Sequence, residues 1–193
     1  MKTKILVVLG ILVIGILNSC NSDLLTYEQG DIRIHIKEGK EWLHDFPLLV
    51  GIKQKSPPQI AIWIEDPDGN YIPTICATHK IATESWMANR GNRRKEALPV
   101  WCHTRGIQYP DGLYLPTKKE PLVDGISGAT PHESFDVKIT PLGKLRQFIV
   151  KVELNHSTDW NDHYPKSASE NDGNYTGGKG GSGQPAIVYG ANI

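Results

Sequence analysis

A surplus of charge of either sign is what this chain most plainly lacks. It carries 21 basic and 21 acidic side chains and a formal net charge of zero, so nothing points to nucleic acid or to a polyanionic partner. Cysteine is scarce: Cys20, Cys76 and Cys102 are the only three. None of them forms a C-x-x-C or C-x-x-C-H pair, which leaves a redox dithiol and a c-type haem without support. Long apolar runs are absent apart from residues 5–17, thirteen uncharged residues, too short for a spanning helix of roughly 20. The glycine-rich run 177–183 lacks the G-x-x-x-x-G-K-S/T spacing of a Walker loop. Its backbone amides suit either a phosphate cradle or a flexible link. No nucleophile elbow and no carboxylate pair placed by secondary structure are present, so a conventional hydrolase is not supported.

What is present begins with an address. Lys2 and Lys4 precede the apolar run, the arrangement of a signal peptide. Leu17-Asn18-Ser19-Cys20 resembles the lipobox of bacterial lipoproteins, with Asn18 less usual than a small residue at its position. The expectation is a signal peptide over residues 1–19, lipidation at Cys20, a tether over 20–30 and one domain over 31–193. Acyl chains on Cys20 would anchor by burying roughly 0.8 kcal/mol per CH₂, placing the protein outside the cytoplasm, in the periplasm or on the cell membrane. Release as a soluble protein after ordinary cleavage is the alternative. In such an oxidising compartment Cys76 and Cys102 either form one disulfide or remain two buried thiols.

The domain reads as strands. Ile32, Ile34 and Ile36 alternate with polar residues, and Ile60, Ile62 and Ile64 do the same within 59–65, the period of a half-buried strand. Asp66-Pro67-Asp68-Gly69 is a turn signal, because proline fixes φ and glycine accepts φ > 0. It joins 59–65 to a partner strand over 70–77. Further strands are expected over 98–103, 134–139, 147–154 and 185–190, a helix over 83–97, and a long loop over 155–184. This pattern favours an all-β immunoglobulin- or fibronectin-like sandwich with long loops. Trp63 falls on the face opposite the isoleucines, in a second buried layer or exposed. For Trp63, Trp86, Trp101 and Trp160, core packing is the default over stacking on a flavin or a carbohydrate.

The segment Asp124-Gly125-Ile126-Ser127-Gly128-Ala129-Thr130 carries the most specific signal. Read alone it is a small-residue turn ending in a hydroxyl. Asp124, Ser127, Gly128, Ala129 and Thr130 also resemble the acceptor sequence of proteins that carry FMN as a phosphoester on threonine. The resemblance implies a covalent FMN on Thr130, attached by a separate flavin transferase that uses FAD and magnesium. Pro131 follows the threonine and stiffens the segment, and the usual small FMN-binding domain is not evident around it. His132 is placed to contact a flavin phosphate, or is simply solvated.

Four blocks, Ile60 to Asp66, Leu98-Pro99-Val100-Trp101, residues 124–131 and Phe148 to Glu153, together resemble a bacterial family of predicted periplasmic proteins, a domain of unknown function. The resemblance covers roughly residues 58–189. It implies a β-sandwich, and electron transfer beside flavin- and haem-linked membrane redox modules. Two readings stand: an electron carrier bearing FMN, or a flavin-free extracytoplasmic binding or scaffolding module. Neither is a conventional enzyme. A third, a metal-dependent enzyme, rests on His156, Asp159, Asp162 and His163. These residues offer zinc or calcium ligands without any standard spacing.

Overall fold

In a computed structural model of the chain, residues 32–86, 93–140, 147–177 and 181–193 are described. The signal and tether segments, Cys20 included, lie outside them. Among the described residues nine strands form three sheets: β1 (Ile32–Ile36), β2 (His44–Pro47), β3 (Lys53–Ser56), β4 (Gln59–Glu65), β5 (Tyr71–Thr78), β6 (Ile126–Gly128), β7 (Phe135–Ile139), β8 (Ile149–Asn155) and β9 (Ile187–Asn192). The main sheet has the order β6-β5-β4-β8-β9, while β1-β7 and β2-β3 are separate two-stranded ribbons. All pairings are antiparallel except β5-β6.

The β1-β7 ribbon packs over one face of the main sheet, which makes the molecule an all-β sandwich. Ile60, Ile62, Ile64, Val150 and Val152 point into this layer, met by Trp42, Ile139 and Phe148. The opposite face is buried as well. There Ala61, Trp63 and Ala77 meet Ile81, Leu98, Trp101, Cys102 and Leu115. Strand β4 is consequently buried along its whole length. Trp63 is in the second buried layer, its indole N–H donating to Glu65 Oε1 at 2.8 Å.

Hairpin β4-β5 turns at Asp66–Gly69, where Gly69 has φ 87° and its N–H reaches Asp66 O at 3.0 Å. The pairing slips between Ile62 and Glu65, opposite the stretch that contains Pro73. Proline cannot donate to a ladder, so the strand bulges there.

Two expected elements differ. The helix expected over 83–97 is replaced by a single turn, α1 (His79–Ala82), that stops at Thr83. Glu84 and Arg94 then take positive φ, which ends helical propagation; residues 87–92 of that expectation lie outside the described residues. The strand expected over 98–103 is a helix, α2 (Pro99–Thr104). Pro99 occupies the first helical turn, where its missing N–H costs nothing. The carboxylate of Glu153, reaching across from β8, accepts the N–H of Val100 at 3.0 Å and of Trp101 at 2.7 Å. A short apolar run is equally compatible with either element, and this distant carboxylate decides for helix. Strands β2, β3 and β6 were not anticipated from the sequence.

Candidate functional site around residues 124–131

The segment with the acceptor-like sequence forms β6 and its flanks, along the outer edge of β5. Cys76, Ala77 and Thr78 pair in parallel with Ile126, Ser127 and Gly128. Gly125 is dictated by close approach: a Cβ there would lie 2.8 Å from Thr74 Cγ2. Gly128, by contrast, faces open space.

Asp124 anchors the start of the segment. Its carboxylate accepts the Tyr71 hydroxyl and lies 3.8 Å from Arg105 Nη2. The Tyr71 oxygen also sits 2.6 Å from Thr74 Oγ1, which takes the Trp101 indole N–H at 3.0 Å. The Arg105 guanidinium stacks 5.0 Å from the Trp101 ring centre. Burial, and then the bond to Asp124, push the Tyr71 phenol up to about 12. The phenol is therefore a proton donor to Asp124 at any ordinary pH.

The end of the segment is pinned inward. Thr130 is 6% exposed, and its Oγ1 lies 2.8 Å from Thr78 Oγ1. Thr78 Oγ1 accepts the N–H of Ile60 at 2.8 Å and donates to Ile60 O at 3.3 Å. The two threonine hydroxyls share one buried hydrogen bond. One residue on, the carbonyl of Pro131 accepts the indole N–H of Trp42 at 3.0 Å. Between the anchors, Ser127, Gly128 and Ala129 are exposed, as is His132.

An FMN phosphoester therefore fits this segment in one respect and meets resistance in another. The small-residue approach to the threonine is open to another protein. The hydroxyl itself is turned into the sandwich against Thr78. Losing one such bond costs roughly 0.5–1.5 kcal/mol net, small beside the barrier of a phosphoryl transfer.

The other candidate residues do not converge. His156 packs its ring 5.5 Å from that of His44 and lies 3.1 Å from Glu41 O; burial holds its imidazole below the usual histidine range. Asp159 is a structural acceptor, taking the Gly183 N–H at 2.6 Å and that of Gln184 at 3.3 Å. His163 is exposed and set edge-on to Tyr164, with Asp162 exposed beside it. Among the described residues no group of three or more His, Cys, Asp or Glu could hold a metal ion.

Cys76 and Cys102 are free thiols. They belong to opposite faces of the main sheet, Cys76 beside the isoleucine layer and Cys102 within the tryptophan layer, so the sheet itself separates them. The described glycines of the glycine-rich run are closely packed, which does not suit a loose link there. A Cβ at Gly177 would strike Glu96, and one at Gly183 would strike the Trp160 backbone. A cleft of about 510 Å³ opens beside this packing, lined by Pro99, His103, Tyr114, Tyr175 and Pro185. Residues 124–131 take no part in it.

Thr78, Tyr71, Arg105 and Trp42 were invisible to sequence reasoning as members of this site. Only the fold brings them to residues 124–131, across 19 to 89 positions of chain. Comparison with protein-family models, with curated proteins and with solved structures finds no match, so the four-block resemblance carries no family assignment.

Proposed function

We propose that this chain is an extracytoplasmic, lipid-anchored electron carrier with FMN esterified to Thr130. The observation that carries the reading is the exposed stretch Ser127-Gly128-Ala129 at the sheet edge, preceded by the anchored Asp124 and leading directly to Thr130. A flavin transferase needs a thin, accessible stretch leading to a hydroxyl; this edge offers the stretch, and the buried Thr130 hydroxyl must first turn away from Thr78.

In the attachment step Thr130 Oγ1 leaves Thr78 and attacks the FMN phosphorus of FAD. The new P–O bond forms as the pyrophosphate bond breaks, AMP departs, and the hydroxyl proton passes to the transferase. No electrons move in this step. The bound flavin would supply the redox chemistry, exchanging electrons with a membrane redox protein. The chain's own part is to fix Asp124 through Tyr71 and Arg105 and to present residues 127–129. Lipidation at Cys20 would keep the carrier at the membrane.

The Thr130–Thr78 contact favours a second reading, a flavin-free binding or scaffolding module in which residues 124–130 are a structural edge. In-gel flavin fluorescence of the denatured protein, after co-expression with an active transferase, separates the two. The carrier reading expects a fluorescent wild type, a dark Thr130→Val, and a Thr78→Val that labels at least as well as wild type. A dark wild type in the presence of FAD would leave the flavin-free module as the better account. The anchor is checked separately: wild type is expected in the membrane fraction, and Cys20→Ala is expected to lose that attachment.

A further inference from the structure

The β2-β3 ribbon contributes no residue to either core and ends in an apolar tip. Among the described residues neither of its strands pairs with the main sheet. Pro47 pairs with Lys53, and the N–H of Leu48 donates to Ile52 O at 2.7 Å, which closes the turn. From Pro47 through Ile52 there is no charged residue. Leu48 is 47% exposed, Val50 96% and Ile52 62%. Single exposed aliphatic residues are ordinary, but three on one turn form a patch. Val50 also sits in the left-handed region, at φ 58° and ψ 39°, where glycine is comfortable and a β-branched residue is strained. A valine held there against its own preference, and left almost fully exposed, points to a contact made outside the chain.

The base of the tip is basic. Lys53 and Lys55, two residues apart, share one face of β3, and both side chains are largely exposed. Asp45 faces them at 3.6 and 2.7 Å, and two lysines against one aspartate leave residues 44–56 at +1. An aliphatic end with an ammonium collar matches the layering of a bilayer interface, in which apolar side chains enter the acyl boundary and lysine stems reach back to the headgroups. A protein partner is the poorer match. Hot spots of protein interfaces favour Trp, Tyr and Arg, while Leu and Val are under-represented there; residues 47–52 contain none of the favoured three. Three aliphatic side chains also fall far short of the roughly 1,000 Å² that a specific interface with a second copy needs. A lipid surface asks for no complementary shape and gains from every apolar group it covers.

We propose that residues 48–52 insert into the acyl–headgroup boundary of a lipid bilayer, with Lys53 and Lys55 at anionic headgroups, as a second point of membrane contact. The proposal rests on the membrane-anchored placement given above and is independent of the flavin. Stable attachment by acyl chains gains from a second signal of this kind. Residues 20 and 32 are twelve positions apart, a reach of up to about 40 Å, so an anchor at Cys20 alone leaves the orientation of the sandwich open. Contact through the tip fixes it. Shallow insertion suffices, and the Leu48–Ile52 bond keeps part of the turn's backbone paired as it leaves water.

Nitroxide labels on Val50→Cys and, as reference, on Val123→Cys, at a site 88% exposed, test the insertion. The full chain is reconstituted into phosphatidylcholine vesicles with and without phosphatidylglycerol, and the signal of labelled wild type is subtracted for the native cysteines. Flotation with the vesicles reads the anchor, and label accessibility reads the tip. The label at 50 is expected to be severalfold less open to a water-soluble nickel chelate than the label at 123, and more open to oxygen. Phosphatidylglycerol is expected to deepen that protection, and Lys53→Glu with Lys55→Glu to abolish the gain. A label at 50 as open to the chelate as that at 123, on protein that floats, would overturn the insertion alone. A gain that persists in the double lysine variant would overturn the headgroup contact. Protein that does not float would overturn the anchor and the insertion together.

Discussion

At the scale of single residues, close approach and burial set clear expectations. Gly125 and Gly128 are two glycines of one segment with opposite tolerances. Adding a methyl at Gly125 drives it to 2.8 Å from Thr74 Cγ2, and overpacking of this kind costs about 1–3 kcal/mol. Gly125→Ala should therefore lower the denaturant midpoint, while Gly128→Ala, facing open space, should not by this mechanism. Equal losses from both would argue against the close-packed edge. Burial pushes the Cys76 thiol up to about 11 and raises that of Cys102 further. Both thiols should be unreactive toward an aromatic disulfide reagent in the folded protein. Both should titrate once it is unfolded without reductant, and a missing pair would mean a bridge. Glu153 is raised above its ordinary 4.5 by burial, against the lowering effect of the Trp101 and Val100 amides. Glu96 is raised by burial as well. A carboxyl raised on folding binds its proton more tightly in the native state. Its stability contribution is full below about 4.5 and is lost as pH rises through the folded value. Melting temperature should fall as pH rises above about 4.5, and Glu153→Gln should flatten part of that fall. Parallel curves for the two proteins would remove Glu153 from the explanation.

At the scale of elements, strain and burial divide the strands into two kinds. The β2-β3 ribbon turns through Leu49–Gly51, with Val50 at φ 58° and 96% exposed. A β-branched residue in the left-handed region is strained, and Val50 buries nothing in return. Val50→Gly should stabilise by up to about 1 kcal/mol, read as a rise in denaturant midpoint; a fall would show that the turn needs valine. Strand β4 is the opposite case, buried on both faces. Ile62→Ala should cost about 2–5 kcal/mol and Trp63→Ala about 3–5, by cavity formation in separate layers. Ile187→Ala on the exposed edge strand should stay within about 0.5 kcal/mol.

At the scale of the whole molecule, one sheet carries two cores and two unlike edges. The isoleucine layer under β1-β7 and the tryptophan layer under α1, α2 and residues 113–122 share only β4 and its neighbours. Function, as proposed, sits at the rim, where the acceptor-like segment runs along β5 at one edge of the main sheet. The approach to the acceptor-like segment is open at this rim, while the Thr130 hydroxyl is buried against Thr78.

The sequence by itself determined the sandwich class, because the alternation of Ile32, Ile34 and Ile36, of Ile60, Ile62 and Ile64, and of Phe135, Val137 and Ile139 is a local property of the chain. It also determined the β4-β5 turn, since Asp66, Pro67 and Gly69 impose their own dihedrals. The short strand β6 was not legible, for three exposed residues have no period to read. Tertiary structure alone decided that residues 99–104 are helical, because the carboxylate that caps them lies about fifty residues away on β8. It alone decided that Cys76 and Cys102 stand apart, because Cys76 on β5 packs with the isoleucine layer while helix α2 carries Cys102 into the tryptophan layer on the other face. It alone turned the hydroxyl of Thr130 toward Thr78, since a hydrogen bond between threonines 52 positions apart depends on β5 and β6 lying side by side.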